Sequence, residues 1–185
     1  MDKNKTDLYP HVHSTVWQRA QKIRCLICDV DGVLTDGRIY LSAHQEEIKA
    51  FHAHDGYGLR ALLHANIEVA IISGRRSAAV QNRMESLGVH HVYQGYADKM
   101  MAFDILAKER QLSPEECAFI GDDIVDLTLL DACHLSVAVP EAVPMIKQRV
   151  HHITKARAGM GAVREICDVL MISQGHDGSV KGLSM

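Results

Sequence analysis

The strongest constraint on the fold is a set of short apolar runs, each stopping at a polar tip. Ile23 to Cys28 ends in Asp29-Val30-Asp31-Gly32, Ile67 to Ile72 ends in Ser73-Gly74-Arg75, and Cys117 to Ile120 ends in Gly121-Asp122-Asp123. Apolar runs of this length, bounded by turn residues, read as strands buried on both faces. Helix-like segments lie between them, and that alternation predicts an α/β, Rossmann-like parallel sheet with helices on both faces. In open α/β sheets ligands sit beyond the carboxyl ends of the strands, so the polar tips are expected to share one crevice.

The 185 residues suit a single domain with a proper core. Residues 1–16 are expected as a flexible arm, 17–173 as the domain and 174–185 as a Gly- and Ser-rich flexible tail. A helix is expected from Ser14 to about Ile23, and a β-hairpin inserted after the first strand, across Arg38 to His52. Further helices are expected over Tyr57–Ala65, Ser77–Leu87 (stopped by Gly88), Lys99–Gln111, Ile124–Ala132, Ala142–Arg149 and Ala162–Met171. Short strands are expected at Val92–Tyr93 and Leu135–Val139.

A net charge of -3 gives no basic surface for nucleic acid. No run approaches the roughly 18 apolar residues of a membrane span, and Met1 to Pro10 lacks an apolar leader core. Five cysteines are an odd number, expected as reduced, buried thiols of a cytoplasmic protein. Cys25 and Cys28 spell C-x-x-C, but strand residues three apart face opposite sides, so they are read as core. Gly56-Tyr57-Gly58-Leu59-Arg60-Ala61 matches a dinucleotide fingerprint but follows no buried apolar strand, and is read as a helix start. The histidine pairs His11/His13, His90/His91 and His151/His152 have no carboxylate at metal-ligand spacing and are expected at the surface.

Four chemical elements stand at strand ends in chain order: Asp29-Val30-Asp31, Ser73-Gly74, Lys99, and Gly121-Asp122-Asp123-x-x-Asp126. Two carboxylates as close as Asp29 and Asp31 repel unless a cation or a proton intervenes. Together the four supply an acidic site of the kind Mg²⁺ prefers, a hydroxyl with backbone N–H groups for phosphate, and a fixed ammonium.

In these motifs the chain resembles the haloacid-dehalogenase-type phosphohydrolases. The resemblance implies Asp29 as nucleophile and metal ligand, and Asp31 as acid/base with its carbonyl on the metal. Ser73 and Lys99 would hold the phosphoryl oxygens, Asp122 would complete the Mg²⁺ shell, and Asp123 and Asp126 would orient it. Neither the stretch from Asp31 to Ser73 nor that from Ser73 to Lys99 has room for a cap domain. A capless site must close some other way, most simply with a neighbouring subunit.

From about Trp17 onward the chain is similar to the 3-deoxy-D-manno-octulosonate 8-phosphate phosphatases, a capless homotetrameric branch serving lipopolysaccharide assembly. The matching segments are Asp29–Gly37, Phe51–Gly58, Ser73-Gly74-Arg75 with Arg83, Gly121–Leu127 and Gly159-x-Gly161-Ala162-Val163-Arg164-Glu165. The resemblance implies that His52, Ala53, His54, Asp55, Gly56, Arg60, Arg75 and Arg83, with Asp31 and Lys99, meet the sugar acid, some across a subunit boundary. The arginine fork suits a carboxylate and a phosphate. Lys181 to Met185 resembles a tail that reaches into an active site. His54 departs from the arginine usual there, and Ala158 from a glycine. Two alternatives stand: a phosphatase for a sialic-acid-type 9-phosphate, whose relatives carry an acidic residue at the place of Arg75, and a phospho-accepting signalling domain. Against the latter, the Asp29 tip follows the first strand rather than a middle one, and Asp31 is poised for turnover.

Overall fold

The computed structural model describes residues 7–44 and 47–176. Its centre is a six-stranded sheet of order β5-β4-β1-β6-β7-β8. The strands are β1 (Cys25–Cys28), β4 (Glu68–Ser73), β5 (His91–Gln94), β6 (Cys117–Gly121), β7 (Leu135–Ala138) and β8 (His152–Ile153), every pair parallel. β1 lies in the middle, pairing Cys28 with Ile71 of β4 and with Ile120 of β6. The chain moves outward through β4 and β5, then returns to the other side of β1 at β6. That reversal places the crevice over the end of β1.

Helices α1 (Ser14–Ala20), α2 (Ala53–His64), α3 (Ala78–Leu87), α4 (Lys99–Arg110), α5 (Leu127–Ala132), α6 (Pro144–Lys147) and α7 (Ala162–Ser173) complete the fold. α7 packs on α1 and α2, α3 on α2, and α4 on α5. All four residues of β1 and all five of β6 are buried, as continuous apolar runs in a two-sided sheet require. All five cysteines are free and buried, and burial pushes the Cys28 thiol up.

Local signals placed most boundaries within a residue or two. Ser77 and αL Gly88 bracket α3, and Asp98 caps α4 by accepting from the Met100 N–H at 3.0 Å. Four differences stand out, the first being that α1 ends at Ala20 rather than near Ile23. α2 begins at Ala53, four residues before Tyr57, because His52 caps it through Nδ1. Ile124–Asp126 forms a 3₁₀ turn ahead of α5. The two-residue β8 has no counterpart in the expected elements and is too short for a periodic signal.

The hairpin is β2 (Tyr40–Leu41) against β3 (Glu47–Ile48), antiparallel, with Ile39, Tyr40, Leu41 and Ile48 exposed. The described part of the expected N-terminal arm is docked rather than loose. Val12 is buried, and the Tyr9 hydroxyl donates to Asp168 Oδ2 on α7 at 2.5 Å. The expected tail from Lys181 to Met185 lies outside the described residues.

Asp55 ties the two helices of the α2–α7 layer. It accepts from the backbone N–H of Arg164 at 2.7 Å and of Gly161 at 3.3 Å, and it is buried. α7 has no side-chain cap of its own, so Asp55 does that work from another helix. Asp55→Ala is expected to cost about 2 kcal/mol, read as a lower urea midpoint at unchanged m-value.

Candidate active site

β1 and β6 deliver the acidic tips side by side. The Asp29 N–H donates to the Ile120 carbonyl at 3.0 Å, which continues the ladder by one residue and brings Asp29 level with the Gly121–Asp122 tip. Lys99, at the first position of α4, enters the gap with its side chain 3% exposed. Its Nζ lies 2.7 Å from Asp29 Oδ1 and 2.5 Å from Asp126 Oδ1, and 5.6 Å from the centre of the Phe119 ring. Burial works against its charge, but Asp29 and Asp126 outweigh it and hold its pKa above the usual lysine value.

Asp126 is spoken for. Its Oδ2 accepts from the N–H groups of Asp122 at 2.8 Å and Asp123 at 3.2 Å, while Oδ1 faces Lys99. It therefore shapes the Gly121–Asp123 turn that presents Asp122. A side chain at Gly121 would collide with Asp126. One at Gly32, which has φ +88°, would collide with Asp122 and strain the backbone. Asp123 is exposed and its carboxylate caps the next turn, accepting from the Ile124 N–H at 2.7 Å. Its contribution to the crevice is the backbone N–H given to Asp126.

Oxygens of Asp29, Asp122 and Asp126 all lie within 4.8 Å of one another. Burial, then the charges of Asp29, Asp126 and Asp123, push Asp122 up to about 7. Burial, with the charge of Asp126, pushes Asp29 up to about 6 against the pull of Lys99. Carboxylates that raise each other in this way call for a cation, and an all-oxygen donor set fits a hard ion such as Mg²⁺.

Asp31 sits on the far side of the tip. The ammonium of Lys49, whose side chain is 3% exposed, pairs with it directly, and Arg75 Nε stands 3.9 Å from its other oxygen. Glu47 bridges both cations, 2.7 Å from Lys49 and paired with Arg75. The hairpin thus lowers Glu47 and Lys49 over the acid/base candidate. Sequence reasoning did not single out Lys49. A signal existed: in Glu47-Ile48-Lys49, alternation puts both charges on the face opposite exposed Ile48.

Ser73 ends β4 two residues past Ile71, the partner of Cys28, so it reaches the same crevice, where its Oγ accepts from the Arg75 N–H at 3.3 Å. The expected sugar contacts divide. His52, Ala53 and His54 stand at the start of α2, with Ala53 and His54 exposed, and the His52 and His54 rings meet edge to face at 4.9 Å. Arg60 and Arg83 are half-buried, and the Arg83 guanidinium lies on Gly56. Asp55 is a correction, since it turns into the protein onto α7 and is 1% exposed. One of the histidines expected at the surface is a further correction: His152 is buried against Glu165, while His11, exposed as expected, meets the same carboxylate. That meeting joins residues more than a hundred positions apart, which sequence spacing cannot show.

Residues 89–166 match the haloacid dehalogenase-like hydrolase family. Over 177 residues the chain is 45% identical to 3-deoxy-D-manno-octulosonate 8-phosphate phosphatase KdsC of Yersinia pestis, covering 96% of this chain and 95% of that one. The KdsC of Escherichia coli K12 is likewise 45% identical over 96% of this chain and 94% of its own. The crystal structure of the Yersinia pestis enzyme superposes with TM-score 0.90, covering 93% of each chain. The Moraxella catarrhalis phosphatase, solved with magnesium, phosphate and KDO, superposes with TM-score 0.85 at 38% identity, covering 88% of this chain and 94% of that one.

Proposed function

The chain belongs to the 3-deoxy-D-manno-octulosonate 8-phosphate phosphatase family of haloacid dehalogenase-like hydrolases, and from that premise we propose how its crevice works. It is a Mg²⁺-dependent phosphomonoesterase that releases inorganic phosphate and the free eight-carbon sugar acid. One observation carries the reading: an acidic crevice at the end of β1 in a chain related over nearly its whole length to that phosphatase.

Asp29 is the nucleophile. One of its carboxylate oxygens bonds to phosphorus as the bond from phosphorus to the sugar oxygen breaks. Asp31 gives its proton to the leaving sugar alkoxide. In the second half, Asp31 takes a proton from water, the water oxygen attacks the aspartyl phosphate, and the bond from phosphorus to Asp29 breaks. Splitting the displacement gives two easier steps. Lys99, fixed by Asp29 and Asp126, and Ser73 hold the phosphoryl oxygens. Asp29, Asp122 and the Asp31 carbonyl would hold Mg²⁺, which when bound offsets charge on the phosphoryl group. Asp126 acts through the turn it braces.

Arg75 sits beside Asp31, and with Arg60, Arg83 and the residues His52 to His54 it supplies the sugar-binding side. The exposed apolar residues of the hairpin, Ile39, Tyr40, Leu41 and Ile48, support assembly into a homotetramer whose neighbours close the capless site. Among the described residues no helix is long and apolar enough to cross a membrane. Five free, buried cysteines accord with the reducing cytoplasm, where lipopolysaccharide precursors would be the setting.

The test is Mg²⁺-dependent phosphate release from 3-deoxy-D-manno-octulosonate 8-phosphate and from N-acetylneuraminate 9-phosphate. A kcat/KM at least about tenfold higher for the first is expected, since a site built to pair a substrate group discriminates by at least one such interaction. Preference for the second would overturn the specificity assigned to Arg75 while keeping the chemistry.

A further inference from the structure

We propose that His11, His152 and Glu165 form a second metal site, distinct from the acidic crevice and suited to a borderline transition ion such as Zn²⁺. The three ligands come from separate parts of the chain: the segment before α1, the edge strand β8, and the first turn of α7. His11 Nε2 lies 2.9 Å and His152 Nε2 3.2 Å from the same oxygen, Glu165 Oε1. The three ligand atoms all fall within 4.8 Å of one another.

The carboxylate is built into place. Oε2 accepts from the N–H groups of Lys155 at 3.0 Å and Ala156 at 2.9 Å, which aims Oε1 at the two imidazoles. The Lys155 N–H also reaches Oε1, at 3.1 Å. The imidazoles face each other with centroids 6.0 Å apart and planes at 30°. A tetrahedral ion with ligand bonds of about 2.0–2.2 Å separates its ligand atoms by roughly 3.3–3.6 Å. The two histidine nitrogens need to withdraw from Oε1 by only a few tenths of an ångström to admit it.

Burial gives the site a floor and an opening. The side chains of His152 and Glu165 are 6% and 5% exposed, while that of His11 is 31% exposed. An ion can enter past His11 and keep a fourth position for water or an added ligand. Two nitrogens and one oxygen favour Zn²⁺ over Mg²⁺, whereas the crevice offers oxygens alone. The two sites therefore sort different ions. Bound only by the folded state, the ion clamps the N-terminal segment and β8 onto α7 and adds to stability by mass action.

The experiment is calorimetric titration of the whole chain with Zn²⁺ in a large excess of Mg²⁺, which keeps the crevice filled. One equivalent of Zn²⁺ is expected, with a rise in the unfolding midpoint. His11→Ala alters a partly exposed residue outside the crevice. It should weaken Zn²⁺ by roughly tenfold or more while phosphate release in Mg²⁺ alone stays at the wild-type rate. Asp122→Asn should keep the Zn²⁺ equivalent. Histidine-ring NMR supplies an independent reading, with Nε2 of both His11 and His152 shifting as Zn²⁺ is added. No Zn²⁺ uptake in excess Mg²⁺, unchanged affinity in His11→Ala, or loss of the equivalent in Asp122→Asn would each overturn the proposal.

Discussion

Asp29→Asn is expected to lower Mg²⁺-dependent phosphate release by about ten-thousand-fold or more, the scale at which removal of a covalent nucleophile is felt. The amide matches the carboxylate in shape but cannot form the aspartyl phosphate. Stability should move the other way or not at all. The Asp29 carboxyl is buried and crowded by Asp126, which together raise it to about 6 against the pull of Lys99. A group whose charged form is disfavoured by folding weakens the folded state at neutral pH. In EDTA the thermal midpoint of the variant is therefore expected at or above that of the wild type, even though Lys99 loses one partner. Rate and unfolding are measured on the same preparation. Retention of more than about one per cent of the wild-type kcat would remove Asp29 from the nucleophile's role, whatever its position at the tip of β1.

Glu165→Gln is expected to cost about 3 kcal/mol at neutral pH, and the cost should vanish in acid. Burial alone would raise the Glu165 carboxyl, but hydrogen bonds from His152, Ala156, His11 and Lys155 outweigh it and hold the pKa at about 2 against an ordinary 4.5. A depression of that size is worth about 3 kcal/mol. The folded pKa lies below the unfolded one, so the contribution is whole above about pH 4.5. It is lost progressively as pH falls toward about 2. Glutamine keeps the volume but turns an N–H₂ group toward donors that need an acceptor. Urea unfolding with a chelator present, at pH 7 and near pH 3, should show the wild type and the variant converging in acid. Equal differences at the two pH values would mean that the charge of Glu165 contributes nothing.

The parallel sheet was legible because its signal is local and repeated. Each of β1, β4 and β6 is an apolar run closed by a polar tip, and two-sided burial demands that pattern. Gly88 and Asp98 announced their helix ends through local chemistry, a left-handed backbone at Gly88 and a capping carboxylate at Asp98. The crevice followed from topology, since parallel strands must present their carboxyl ends together. Asp29, Asp122 and Lys99 could thus be grouped before any distance was known.

Other features rest on the choice of one side chain among several orientations. Asp55 could have faced the crevice from the start of α2. It turns onto α7 because the N–H groups of Gly161 and Arg164 lack another cap, and that need exists only once the two helices pack. Lys49 reaches Asp31 only because the hairpin folds back over the tip of β1. His11, His152 and Glu165 carry no pattern in the chain, and their meeting depends on β8 joining the sheet edge while the segment before α1 docks on α7.

The sequence by itself therefore determined the sheet, the order of its tips and the chemical kind of crevice they form. Periodicity and polar termini are properties of neighbouring residues, and parallel topology does the rest. Only the tertiary structure decided which carboxylate serves the crevice and which a helix end, and which cation covers Asp31. Those outcomes turn on buried polar groups finding partners far away in the chain, and burial leaves each of them little choice once the layers have closed.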